Sequence, residues 1–352
     1  MNRTTITKNA KRLALGLAAL ALAATPSFAA ELAAVEGTWL PPGGLVGVDE
    51  ITMWGFVEVP NAAAFDCTTV DPTAAWSVLT IRTTVAAGLS VNLKNCLTEP
   101  VSFFVPGVPG TATGGVAGFF TTEAAASGGT VSYSFTPDSG TYLYQSATSR
   151  IRTQVPMGLY GALVVDTAAN TAYPGVTYAQ DALLVYSTID PNINANPATY
   201  GGARVSNNAL SVADEGFVYG WLPQYFLING KAYDSAAGHV TSVGSGTATL
   251  LRFVNAGLET VVPTLGGGLY MSVVAEDGNL LPVAFSQYGI ELQPGKTSDA
   301  LISVLTTTAL YDRALNLTNG AATGGGMLTY LVPPGPPGMK TDGQDATSSQ
   351  LE

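Results

Sequence analysis

Between about residue 48 and residue 332 no segment sustains a helical period. The chain runs instead as short β-rich segments, at 76–85, 130–135, 161–165, 182–187 and 249–254, each closed off by Gly, Pro, Asn or Asp. Several alternate apolar with polar residues, which puts one face of a strand in a core and the other in solvent. Composition agrees. Only 11% of residues are charged, while 40 are Gly and 21 are Pro, which argues against a helical bundle with its Lys-, Glu- and Arg-rich surface. An apolar fraction of 47% is too high for a disordered chain. An all-β fold is expected.

The first 29 residues depart from this pattern. Arg3, Lys8, Lys11 and Arg12 precede an apolar run from Leu13 to Ala24, and Ser27-Phe-Ala29 has the small residues of a cleavage site. This reads as a cleaved signal peptide, since twelve apolar residues fall short of the about 20 that span a bilayer. The expectation is an exported protein of the periplasm, outer surface or medium, with no transmembrane segment in the mature chain. Four of the 14 basic residues lie in this leader; the remaining 10 face 25 acids, a net charge of −15. Such a surface neutralises no phosphates, so neither nucleic acid nor anionic lipid is an expected partner.

The chain has one histidine, His239, and two cysteines. Export makes Cys67 and Cys96 an expected disulfide, worth about 3–4 kcal/mol through loop closure. The competing use of a cysteine, as a copper thiolate, needs an unpaired sulfur with imidazoles beside it.

The chain also repeats itself. Leu143-Tyr144-Gln145 leads, over 23 residues, to a Gly158 turn and an apolar strand ending at Val165; Leu310-Tyr311-Asp312 leads, over 23 residues, to Gly325 and a strand ending at Val332. Asn95 to Glu99 followed by Val101-Ser-Phe-Phe-Val105 has its counterpart in Asn255 to Glu259 followed by Val261-Val262. The order is the same in each half, as expected of two copies of one β-domain. The stretch 166–174 reads as a linker, so a first domain is expected over 30–166 and a second over 175–332. The Pro/Gly-rich, then polar, residues 333–352 are expected to be a disordered tail.

These segments resemble the multicopper oxidases. Gly140-Thr-Tyr-Leu-Tyr-Gln-Ser-Ala-Thr148 with Met157-Gly-Leu-Tyr-Gly161 is similar to the family segment in which a strand delivers His-x-His before a Gly-rich turn. Glu99-Pro-Val-Ser-Phe-Phe-Val-Pro-Gly107 occupies the place of its His-Trp-His-Gly strand. Residues 226–231 and 250–257 are similar to the start of a later domain of that family. The resemblance implies two tandem cupredoxin-like Greek-key β-sandwiches. It also implies that the family's copper-ligand positions are held here by Phe104, Pro106, Gln145 and Ala147 in the first domain. In the second they are held by Val262 and by Asp312, Arg313 and Ala314, with Met327 near the axial-ligand position. A blue-copper site requires two imidazoles and a thiolate, so one histidine cannot build it. The expectation is therefore a non-catalytic structural or interaction protein of the cell envelope, without a cofactor, that binds a protein partner or itself. The alternative is a copper-dependent oxidoreductase acting on phenols or metal ions, its site completed by another chain.

Other chemistries have weaker signals. His239 lacks a Gly-x-Ser-x-Gly elbow and reads as an exposed or capping residue. Asp190-Pro-Asn-Ile-Asn-Ala-Asn196 spaces oxygen side chains as a calcium loop does, but Ala195 and Gly201 occupy the positions of its Gly and Glu, leaving an Asx turn. Glu276, Asp277 and Glu291 could pair as carboxylates, although Asp277-Gly278 reads as a hairpin turn. Gly266 to Gly268 reads as a loop. Tyr219, Trp221, Tyr225, Phe226 and Tyr233 either form a sugar- or protein-binding platform or pack between the domains, with Leu222-Pro223 leading into the first strand of the second.

Overall fold

A computed structural model describes residues 29–198 and 222–334. All of the expected leader but Ala29, Tyr219, Trp221 and nearly all of the expected tail lie outside them. The first eight strands are β1 (Ala29–Trp39), β2 (Ile51–Glu58), β3 (Leu79–Thr84), β4 (Leu89–Asn95), β5 (Gly110–Gly114), β6 (Thr130–Phe135), β7 (Gly140–Gln145) and β8 (Tyr160–Asp166). They form a five-stranded sheet ordered β2-β1-β4-β6-β5 and a three-stranded sheet ordered β3-β8-β7. Period-two sequences drive this. In β4 the residues Leu89, Val91 and Leu93 are buried, and in β6 Val131, Tyr133 and Phe135 are buried while the Thr and Ser residues between them face solvent. These side chains meet Phe103, Tyr144 and Leu163 in one apolar core.

A short hairpin, β9 (Thr171–Tyr173) and β10 (Val176–Thr177), leads to the second set: β11 (Gln180–Ile189), β12 (Tyr225–Ile228), β13 (Val240–Ser242), β14 (Thr249–Asn255), β15 (Pro263–Leu265), β16 (Met271–Glu276), β17 (Asn279–Gln287), β18 (Thr297–Ile302), β19 (Thr308–Asp312), β20 (Thr318–Asn319), β21 (Ala322–Thr323) and β22 (Leu328–Val332). An eight-stranded sheet, β17-β16-β18-β14-β11-β12-β20-β21, packs on a four-stranded sheet, β13-β22-β19-β15. The fold is the expected all-β pair of cupredoxin-like sandwiches.

The internal repeat is a repeat of strand register. Tyr144 faces Gly161 across β7 and β8; Tyr311 faces Leu328 across β19 and β22. Each partner is displaced by the same number of residues, so the two hairpins superpose pair for pair. In both sandwiches a parallel pair forms the middle of the larger sheet, β1 with β4 and β11 with β14. Asn95 and Asn255 are both fully buried. Asn95 Nδ2 donates to the carbonyls of Glu99, Ala124 and Ala125, and Asn255 Nδ2 to those of Glu259 and Leu292. Each Oδ1 accepts from the N–H two residues on, Leu97 or Gly257. One amide thus satisfies a buried corner in each copy.

The sequence reading needs three corrections. The strand expected from residue 76 starts at Leu79; Trp76 N donates to Thr38 O and its indole Nε1 to Trp54 O, so it packs as an anchor. The first strand of the second sandwich is β11, and Leu222-Pro223 precedes its second strand, β12. The stretch 166–174 is no slack tether, because Tyr173 is buried and its hydroxyl donates to Asp299 Oδ2 at 2.5 Å.

Between the sandwiches lie Trp39, whose Nε1 donates to Gly230 O at 2.8 Å, and an apolar cluster of Leu143, Tyr160, Val185 and Val254. The central strand β14 is buried along its whole length, including Arg252. Its guanidinium meets Asp166 at 2.6 Å and Asp181 at 2.8 Å, with Asp299 at 3.9 Å. Burial opposes that charge, but the carboxylates of Asp299, Asp166 and Asp181 outweigh it and hold the arginine above its usual range. Burial pushes the Asp299 carboxyl up, against the opposing pull of Arg252 and of the Tyr173 and Thr141 hydroxyls.

Candidate functional site

The residues that the resemblance sets at copper-ligand positions lie in two corners, one per sandwich. In the first, Phe104 and Gln145 exchange backbone hydrogen bonds at 2.9 Å in both directions. Ala147 is buried behind them and Pro106 is exposed, on the wall of a cleft of about 810 Å³ between the sandwiches. A neutral network locks this corner. Ser146 Oγ donates to Gln154 Oε1 at 2.7 Å and accepts from Ser102 N, Ser102 Oγ accepts from Ala147 N, and Thr148 Oγ1 also donates to Gln154 Oε1. Gln154 Nε2 completes it on Pro100 O. The short helix α1 (Ile151–Gln154) is what brings that glutamine back onto the strand. All of these side chains are buried and uncharged. Outside the corner, the Phe104 ring lies 6.1 Å from that of Phe120, which meets Phe119 edge-on at 4.8 Å. Phe119 is 69% exposed and Phe120 53%.

The second corner is the same construction with a carboxylate in it. Asp312 lies opposite Pro263 as Gln145 lies opposite Phe104, but the two exchange no backbone hydrogen bonds, because proline has no N–H and the Asp312 N–H donates to Met327 O. It is fully buried. Oδ1 accepts from Val262 N at 2.7 Å and Ala314 N at 3.2 Å, and Oδ2 accepts from Asn316 Nδ2 at 2.8 Å. Val262, Asp312 and Met327 therefore do come together. Met327 is fully buried in the apolar core with Val261, Leu265 and Leu310. Arg313 and Ala314 turn outward, and Arg313 lies over the Tyr288 ring at 5.8 Å.

The other candidates are scattered. Cys67 and Cys96 form the expected disulfide, with Cα atoms 5.2 Å apart. His239 is half-buried rather than exposed, and Nδ1 has no hydrogen-bond partner. Burial, with Lys231 adding to it, pushes His239 down to about 4, so its ring is neutral at pH 7. Asp190 caps helix α2 (Pro191–Ala195), accepting from Asn192 N and from Leu222 N, and Asn194 Nδ2 donates to Thr52 O. Both Asp190 oxygens are thus spent on backbone N–H groups, while Asn194 Oδ1 is buried without a hydrogen-bond partner. Asp277-Gly278 is the hairpin turn between β16 and β17, Lys296 pairs with Glu276 at 2.9 Å, and Glu291 lies exposed on another segment. Tyr225 packs on Trp39 at 5.0 Å and Phe226 is buried, so both serve packing. Among the described residues no three His, Cys, Asp or Glu side chains converge in a group that could hold a metal ion, and no helix is long and apolar enough to cross a membrane. What sequence reasoning missed is the Ser102, Ser146, Thr148 and Gln154 network; the closely spaced Ser, Thr and Gln of 146–154 were its only trace.

The family model described as multicopper oxidase matches residues 73–170, and a second of the same description matches 204–325. Among solved structures, the chain is similar to a blue copper oxidase from Nitrosomonas europaea, at 19% identity and a TM-score of 0.63, covering 87% of this chain and 85% of that one. The multicopper oxidase mgLAC follows at 18% identity and 0.61, covering 88% and 87%. A copper-containing nitrite reductase from Thermus scotoductus matches at 16% and 0.56, covering 88% and 61%. At such identities the likeness is one of fold. A comparison of the sequence with curated proteins gives no match.

Proposed function

Since this chain belongs to the multicopper oxidase family, we propose that it is an exported member that has given up its copper centres and serves as a non-catalytic structural or interaction protein of the cell envelope. The observation that carries the reading is the Asp312 corner. Where a soft ion needs a thiolate and two imidazoles, there is one carboxylate whose two oxygens are engaged by Val262 N, Ala314 N and Asn316, beside a methionine packed in the core. The whole chain offers a single histidine, and its two cysteines are bonded to each other. The first corner holds hydroxyls and amides already paired among themselves. These donors do not fit copper. The leader-like N-terminus and the disulfide support an oxidising compartment outside the cytoplasm. The exposed Phe119 and Phe120 beside Phe104 support a surface that engages another protein or a second copy.

Metal analysis of the purified chain, before and after incubation with Cu(I) and Cu(II), tests the reading. The expected result is copper well below one per chain, no blue thiolate absorption band and no oxygen-dependent oxidation of phenols. Tightly held stoichiometric copper, or turnover that chelation abolishes, would overturn it.

A further inference from the structure

We infer that the first sandwich carries a preformed slot for a small organic cation: one aromatic ring or short branched chain bearing an ammonium group. None of the residues at the copper-ligand positions lines it. The slot has a volume of about 170 Å³ and opens where the β1–β2 ribbon is crossed by the segment 65–77. Val35 and Val57 on the ribbon, with Phe65, Val70 and Trp76 on the crossing segment, give it apolar walls. Its size suits a single ring, since cavities of about 150 Å³ with apolar linings take up benzene.

Two glycines make the hollow possible. A Cβ on Gly37 would meet Ala74 O at 2.8 Å, and one on Gly55 would meet the Trp76 ring at 2.8 Å. Both lie on the ribbon against the crossing segment, and only their bare backbone lets that segment lie so close. The segment is fixed at many points. Cys67 is bonded to Cys96, Thr38 N donates to Ala74 O, Trp76 N donates to Thr38 O, and Trp76 Nε1 donates to Trp54 O at 2.9 Å. Asp66 and Asp71 cap their own turns. A wall held this way has little freedom left to lose on binding.

Charge selects the ligand. Asp71 also lines the slot and is exposed, and no Lys or Arg does; the Glu36 side chain, between Val35 and Gly37 on β1, points to the other face of the ribbon. An apolar body seated against Trp76 would hold its cationic end toward the Asp71 carboxylate, in a chain whose formal net charge is −11. Anionic analogues meet repulsion at the same place.

The test titrates the full-length oxidised protein with benzylammonium, benzyl alcohol and benzoate, followed by tryptophan fluorescence and by calorimetry. Benzylammonium is expected to saturate, to bind about fivefold tighter than benzyl alcohol, and to far exceed benzoate. Val57→Trp fills the slot from the half-exposed ribbon side and should abolish binding with the thermal midpoint kept. Asp71→Asn, which keeps the side-chain acceptor for its own turn, should narrow the preference for the cation while sparing the alcohol, and reduction of Cys67–Cys96 should weaken all binding. Absence of saturable binding, equal binding of benzoate, or binding unchanged in Val57→Trp would overturn the inference. These outcomes are independent of copper content.

Discussion

Asp312 closes the second corner alone, with three donors on one carboxylate at zero exposure. Asp312→Ala strips the Val262 and Ala314 N–H groups of their acceptor inside the protein. Denaturant titration should show a loss of about 2–4 kcal/mol, because buried donors left unpaired cost more than the bond was worth. Asp312→Asn keeps one acceptor oxygen and should lose clearly less. The position was legible in the sequence through its alignment with Gln145, but its role was not. Its partners Val262 and Met327 lie far along the chain, and nothing local says that a carboxylate will bind backbone rather than metal. His239 differs for a similar reason: a loop after Asn229-Gly-Lys-Ala-Tyr233 suggested an exposed or capping residue, while its backbone carbonyl accepts from Tyr330 N and the residue is half-buried.

Among the elements, strands with strict alternation were readable. β6, read at 130–135, shows its inward and outward residues directly, because it has one face on the core and one in water. β14 was readable as a strand but not as the molecule's central one, since Arg252 gives no sign of being buried. Residues 76–78 failed because a β-rich composition also suits an extended, irregular segment held by its side chains. That segment depends on the disulfide, which ties the 3₁₀ turn Cys67–Thr69 to the residue after β4. Reduction, or the paired change Cys67→Ala with Cys96→Ala, should lower stability by about 3–4 kcal/mol in equilibrium unfolding. The hairpin registers of both sandwiches should survive, as judged by an unchanged far-ultraviolet circular dichroism spectrum.

For the whole molecule, the decisive feature is the charged cluster where the sandwiches meet. Arg252 from β14 reaches Asp166 at the end of β8, Asp181 in β11 and Asp299 in β18, and Thr141 of β7 donates to the same Asp299. Arg252→Met leaves Asp299 buried without its counter-charge and should cost about 3–5 kcal/mol. Adding Asp299→Asn should recover part of that loss in a double-mutant cycle, because the stranded charge is then gone. Full additivity of the two changes would show that the pair is not coupled. Partly hydrated Asp166 and Asp181 can turn to solvent, so their single substitutions should cost less.

The chain's own order of residues was enough to establish an all-β protein, its doubling, the disulfide and the poverty of metal-binding side chains. Each of these rests on period, count or a pattern that recurs along the chain. How the copies face one another, what fills the two corners, where Arg252 goes and how Trp76 roofs a slot were decided only in three dimensions. Each depends on groups tens to more than a hundred residues apart, whose pairing is set by burial and by the need to satisfy polar atoms away from water.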